Sequence, residues 1–139
     1  MILLDTNVVS ELARARPNPI VARWFCDQSL PELYLAAPTQ AEILYGLAIM
    51  PIGKRLDELT RHLGGLIEQS FPGRILPFDG NAAEAFAAIV AGRRRLGRPI
   101  AIFDAQIAAI ARIHGATVAT RDVADFSDCG VPLINPWTA

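Results

Sequence analysis

Asp5, Glu42, Asp104 and Asp122 are the residues whose types and positions could do chemistry together. Asp5 ends the apolar run Met1-Ile2-Leu3-Leu4, which reads as a buried strand delivering the carboxylate to its carboxyl end, with Thr6 placed to cap the following helix. Glu42 comes shortly after a second apolar run, Asp122 lies two residues beyond a later one, and Asp104 opens the helix that feeds that later strand. Functional groups in open α/β sheets gather where strands deliver their carboxyl ends, so these distant acids can meet at one edge. Ionised carboxylates packed together repel and raise one another's pKa values unless a cation neutralises them. With no His or Cys close by in sequence, the ligation is all oxygen and points to Mg²⁺ or Mn²⁺ rather than zinc. Such an ion generates hydroxide and stabilises charge during in-line displacement at phosphorus, so this donor set fits hydrolysis of a nucleic-acid backbone.

The elements that must position these acids alternate along the chain. Helical spacing of Val8, Val9 and Leu12 predicts a helix from Thr6 to Ala15, and Pro17-Asn18-Pro19 breaks it. Asn18 as N-cap and Pro19 at the first position start a second helix with Ile20, Val21, Trp24 and Phe25, packed as a hairpin on the first. Leu33 to Ala37 is a second strand, followed by helices from Thr39 to about Met50 and then up to Phe71. Arg74 to Phe78 reads as a short third strand and Asp79-Gly80-Asn81 as a turn into a helix over Ala82 to Leu96. An apolar stretch, Ile100 to Phe103, leads into Asp104 and a helix stopped by Gly115. Thr117 to Thr120 and Val131 to Ile134 are the last strands. Continuous apolar strands separated by helices indicate a three-layer α/β/α fold on a central parallel sheet of about five strands.

Composition narrows the class. A chain of 139 residues, 52% hydrophobic and 19% charged, suits a single globular domain over residues 1–139. Cys26 and Cys129 lack metal-ligand spacing and read as reduced core thiols. The opening apolar run has no basic flank and falls far short of the ~20 residues of a membrane span, so the expected compartment is the cytoplasm, with no membrane partner. A net charge of −1 argues against a polyanion partner. Gathering the acids at one neutralised site would leave a net basic surface.

Each candidate also has a plainer use. Thr39-x-x-Glu42 is a capping box, Asp104 can be an N-cap, and Asp122 or Asp125 can shape a turn. His62 and His114 read as surface helix residues rather than general bases. Arg93, Arg94, Arg95 and Arg98 form either a solvated helix end or an RNA-phosphate or partner-binding patch. Asp5 is the hardest to explain away.

Four segments in order, Leu4-Asp5-Thr6-Asn7-Val8-Val9-Ser10, Ala41-Glu42-Ile43-Leu44-Tyr45-Gly46, Asp104-Ala105-Gln106-Ile107 and Val118 to Phe126, resemble the PIN domain across essentially the whole chain. They look more closely like the VapC toxins, and Asn135-Pro136-Trp137 is similar to the ending of the FitB subgroup. The resemblance implies a metal-dependent endoribonuclease fold with Mg²⁺ held by Asp5, Glu42, Asp104 and Asp122. It also implies that Thr120 orients a carboxylate or water and that Asn7 supports Asp5. Asp125 is the alternate ligand to Asp122. The implied partners are RNA, a cognate VapB-like antitoxin that lays a helix or tail across the active-site groove, operator DNA reached through that antitoxin, and a second copy of the chain. Ile49, Met50 and Ile52 are the candidate dimer contact. The competing reading is a non-catalytic partner- or DNA-binding module whose acids are structural. A phosphatase of the haloacid dehalogenase type needs a second Asp two residues after the first, where this chain has Asn7.

Overall fold

A computed structural model describes residues 1–139. The chain runs β1 (Ile2–Leu4), α1 (Thr6–Leu12), α2 (Pro19–Asp27), β2 (Leu33–Ala36), α3 (Ala37–Ile49), α4 (Lys54–Ser70), β3 (Ile75–Leu76), α5 (Gly80–Arg95), α6 (Ile102–His114), β4 (Thr117–Ala119) and β5 (Leu133–Ile134). A single 3₁₀ turn over Val123–Phe126 lies between β4 and β5. The five strands form one parallel sheet in the order β3-β2-β1-β4-β5, with Leu3 opposite both Tyr34 and Val118. Chain order reverses about β1, since β2 lies on one side and β4 on the other. A crevice must open at the carboxyl ends of β1 and β4.

The strands are short, and side-chain alternation decides which layer each residue joins. Leu3 and Val118 face one way, onto Ile107, Ile110 and Phe126 in the layer of α5 and α6. Leu4, Leu33 and Leu35 face the other way, onto Val8, Val9, Val21 and Trp24 in the layer of α1 to α4. Both sheet faces are dry, which explains why these strands read as unbroken apolar runs. Each fully buried Leu or Ile contributes about 1.5–3 kcal/mol relative to exposure.

Helix starts differ from the sequence reading in ways that bear on the acids. The N-cap of α1 is Asp5 rather than Thr6, because Asp5 is extended and accepts from the Thr6 N–H at 2.7 Å. The first turn of α3 begins at Ala37, with Pro38 where a missing N–H is harmless, so Thr39 lies inside the helix and forms no capping box. Its hydroxyl is buried without a partner. Ile102 and Phe103 are already helical and Ala101 is the cap of α6, so Asp104 occupies the first turn and caps nothing. Asn18 caps α2 by accepting from the Ile20 N–H at 2.9 Å, and Gly115 ends α6 at φ 63°, both as the sequence indicates. Cys129 is buried, but Cys26 is exposed on the outer side of α2 and is not a core thiol.

Candidate active site

Asp5 is carried to the crevice by β1 and held there on both oxygens. Oδ1 accepts from the Thr6 N–H, and Oδ2 accepts from the Thr120 hydroxyl at 2.8 Å. Thr120 follows β4 directly and is fully buried. Its Oγ1 in turn accepts from the Asp122 N–H (3.0 Å) and from Asn7 Nδ2 (3.4 Å). That hydroxyl therefore joins the ends of β1 and β4.

The first turn of α1 extends the network to α3 and to the segment after β4. Thr6 Oγ1 donates to Glu42 Oε1 at 2.8 Å, which turns the side chain of α3 toward Asp5. Asn7 Nδ2 donates to Asp122 Oδ2 at 3.0 Å, and Asn7 Oδ1 accepts from the Arg121 N–H at 3.3 Å. Asn7 thus supports Asp122 directly and Asp5 only through Thr120. Three successive residues, Asp5, Thr6 and Asn7, touch three different parts of the site. The bridging role of Thr6 was missed in the sequence, where a hydroxyl after a strand suggests only a cap.

Electrostatics tie Asp104 to the same place. Burial lifts the Asp5 carboxyl from 3.8 to about 6; hydrogen bonds from Thr120 and Thr6 oppose this, and the charges of Glu42 and Asp122 add to it. Burial also lifts Asp104 to about 6, reinforced by Asp5, Asp125, Glu42 and Asp122, with no hydrogen bond to offset it. Four acids of the sequence reading, and Asp125 with them, therefore share one field. A cavity of about 110 Å³ lies between Asp104, Asp125, Arg93 and Ile100. A mostly apolar groove of about 230 Å³ leaves Glu42 and Thr6 along Ile43, Leu47, Met50 and Leu63. The largest surface cavity, about 570 Å³ between α2 and Ala139, contains none of these acids.

The basic run is divided by its surroundings. Arg93 is 4% exposed, and its guanidinium donates to the carbonyls of Arg98, Asp125 and Ser127 at 2.7–2.9 Å. It is a strut that fixes the 3₁₀ turn carrying Asp125 to α5, and it is buried rather than part of an exposed basic patch. Arg98 is likewise engaged, with Asp128 at 2.6 Å and with Ser127. Arg94 and Arg95 remain exposed at the negative end of the α5 dipole. His62 Nδ1 donates to the Ala13 carbonyl (3.2 Å), and His114 is exposed at the end of α6, so neither faces the acids.

Chemically, the cleft is a set of carboxylates, none of which is ion-paired with a basic side chain. Glu42 Oε2, Asp122 Oδ1 and both oxygens of Asp104 accept no hydrogen bond from the chain. No three acidic, His or Cys side chains already converge on one point closely enough to grip an ion, so coordination requires the carboxylates to draw together.

Residues 2–130 match the PIN domain family. The chain is 44% identical over 137 residues to VapC ribonuclease Y4jK of Sinorhizobium fredii, an alignment covering 99% of this chain and 98% of the relative. It is also 44% identical to Toxin FitB of Neisseria gonorrhoeae, covering 99% of each. Among solved structures, FitAB bound to an IR36 DNA fragment superposes with a TM-score of 0.90 at 43% identity, covering 99% of this chain and 96% of that one.

Proposed function

The chain belongs to the PIN-domain family of ribonucleases, with the VapC and FitB toxins, and from that premise we propose that it is a Mg²⁺-dependent endoribonuclease, the toxin of a type II toxin–antitoxin pair. The observation that carries this reading is the hydrogen-bonded convergence of Asp5, Glu42 and Asp122 on the first turn of α1. A purely structural set of acids would be partnered by cations or capping amides throughout; here only Asp5 meets a capping amide, and Glu42 and Asp122 are held by neutral side-chain donors with an oxygen of each left over.

The donor set fits a hard divalent ion. All its ligands are oxygens, and two of its carboxyls are lifted to about 6 by burial and mutual repulsion, which a cation would relieve. Asp5, Glu42, Asp104 and Asp122 would hold Mg²⁺, or Mn²⁺, with Asp125 as the alternate to Asp122. When bound, the ion supplies a water-derived nucleophile and stabilises charge at the phosphodiester. The chain's own part is orientation. Thr120 fixes one oxygen of Asp5, Thr6 fixes one of Glu42 and Asn7 fixes one of Asp122, each leaving lone pairs free toward the cleft.

Single-stranded or looped RNA is the substrate class, because an unstacked strand presents its backbone to an open acidic cleft. The partner is a small antitoxin whose segment lies along the apolar groove beside Glu42, with an Arg able to pair with the carboxylates. Operator DNA is reached through that antitoxin, in keeping with the FitAB–DNA complex. A homodimer fits the exposed Ile49 and Ile52 of the expected contact, with Ile52 97% exposed and Tyr45 exposed beside them, whereas Met50 is half-buried and lines the groove. The setting is the cytoplasm; no helix is long and apolar enough to cross a membrane.

Isosteric changes test the site. Glu42→Gln keeps the acceptor for Thr6 Oγ1, and Asp104→Asn disturbs neither a cap nor a hydrogen bond. Both should fold as wild type and lose metal-dependent RNA cleavage by at least about a hundredfold, the scale of one electrostatic element of a site. Full activity in either would remove that residue from the machinery. A purified wild-type chain that cleaves no RNA with Mg²⁺ or Mn²⁺ would favour the non-catalytic binding module.

A further inference from the structure

Arg121 stands between Thr120 and Asp122, so its Cα is about 3.8 Å from those of two members of the acid network. Its main-chain N–H donates to Asn7 Oδ1, and the same Asn7 side chain donates to Asp122. The backbone at Arg121 is therefore fixed to the site, yet its side chain takes no part in the network. The guanidinium instead lies over the indole of Trp137, 5.3 Å from the ring centroid. It has no carboxylate within ion-pair distance, unlike Arg14, Arg23 and Arg98. Arg121 is exposed and Trp137 half-buried, so the pair lies at the surface, one residue along the chain from Asp122.

The contact with the indole engages one face of the guanidinium and leaves its N–H edge uncommitted. Glu11 is the acid that feels the charge of Arg121, but both Glu11 oxygens are already engaged, by the Asn18 N–H at 2.7 Å and by Arg14 at 3.2 Å. The Arg121 charge is left unpaired next to a cleft whose acids repel any polyanion. A guanidinium with one face on an aromatic ring keeps its N–H edge free, and that planar fork matches the oxygens of a phosphate. The ring also restricts the side chain beforehand, so less freedom is lost on binding.

We propose that Arg121, seated on Trp137, holds a backbone phosphate of single-stranded RNA at the rim of the carboxylate cleft and so positions the strand for cleavage. This rests on the ribonuclease reading above. It assigns the Asn135-Pro136-Trp137 ending a task, as the platform for the phosphate-holding arginine. Arg121 is a positioning residue in this scheme, since the reacting atoms lie with the carboxylates.

The test uses the full-length chain and a short, labelled, single-stranded RNA of mixed sequence. Binding is followed by anisotropy in an Asp104→Asn background over a range of salt, and cleavage is followed in the wild-type background. Arg121→Gln should weaken binding about tenfold, as expected for one charge-assisted contact, and lower the salt slope by about 0.7, the value for one single-strand phosphate. In cleavage it should raise KM more than it lowers kcat. Arg121→Lys should keep the salt slope while losing part of the affinity, and Trp137→Leu should do the same by freeing the arginine. Unchanged affinity and salt slope in Arg121→Gln would overturn the proposal, as would weakened antitoxin binding with RNA binding intact. A fall in thermal stability with no change in KM would overturn it too, in favour of a fastening for the C-terminal segment. A wild-type chain that binds this RNA but never cleaves it with Mg²⁺ or Mn²⁺ would overturn the ribonuclease reading alone.

Discussion

Replacing Asp5 by Asn should stabilise the metal-free fold at neutral pH while abolishing cleavage. The Asp5 carboxyl ionises near 3.8 in the unfolded chain and near 6 in the fold, chiefly because it is buried. A folded-state pKa raised in this way means that the fold binds more protons than the unfolded chain between the two values. Stability from this group is fully present below about 3.8 and is lost as pH rises through about 6. The step is worth ~3 kcal/mol once both values are passed. The amide side chain in Asp5→Asn would still accept from the Thr6 N–H but would turn its NH₂ toward Thr120 Oγ1, which already accepts from Asp122 and Asn7. Losing the Thr120 bond costs about 1 kcal/mol, which leaves a net gain of ~2 kcal/mol at pH 7.5. For a chain of this length that is about 6 °C in Tm.

Urea unfolding of wild type and Asp5→Asn in EDTA, at pH values from 4 to 7.5, measures this directly. The difference between the two chains cancels the opposite pH dependence of Glu11, which the Asn18 N–H holds below the usual carboxylate range. The variant should overtake wild type at about pH 4.5, where the growing cost of ionising Asp5 equals the lost Thr120 bond, and should reach its full advantage once pH has passed about 6. Millimolar Mg²⁺ should then raise the stability of wild type but not of the variant. A variant less stable than wild type at pH 7.5 in EDTA, or a difference that does not move with pH, would refute the account of Asp5 as a frustrated carboxylate awaiting a cation.

Other perturbations separate the site from its supports. Thr120→Val removes the strongest opposition to the rise in the Asp5 pKa, so the acidic limb of the pH–rate profile should move to higher pH, and Thr120→Ser should restore it. Arg93→Leu leaves the carbonyls of Arg98, Asp125 and Ser127 without their donor and should cost about 3 kcal/mol in urea unfolding. Arg94→Ala, on the exposed side, should stay within about 0.5 kcal/mol of wild type in the same assay. Leu4→Ala, which opens a cavity between β1 and α1, should destabilise by about 2–5 kcal/mol, read as a fall in Tm.

Much of the fold was legible in the residues, because hydrophobic period and chain punctuation are local. The run Ile2 to Leu4, the Asn18-Pro19 start, the Gly115 stop and the alternation of strands with helices each follow from one stretch of chain and the backbone geometry it permits. Asp5 was legible for the same reason: a carboxylate closing a buried strand has few structural uses. Local pattern misled where a residue's partner is distant in sequence. Thr39-x-x-Glu42 has the spacing of a capping box, yet Pro38 lets α3 start at Ala37, and Glu42 pairs with Thr6 instead. Arg93 and Arg94 are adjacent in a basic run, but the helical turn between them sends one into the carbonyls behind Asp125 and the other into solvent. Cys26 and Cys129 are chemically alike, and only the packing of α2 against the sheet leaves the first outside. Sequence determined which elements form and which acid ends β1. Only the order of strands about β1 decided that Thr120, Asn7 and Asp122 would meet there, since pairing across more than a hundred residues is set by the sheet and not by any spacing in the chain.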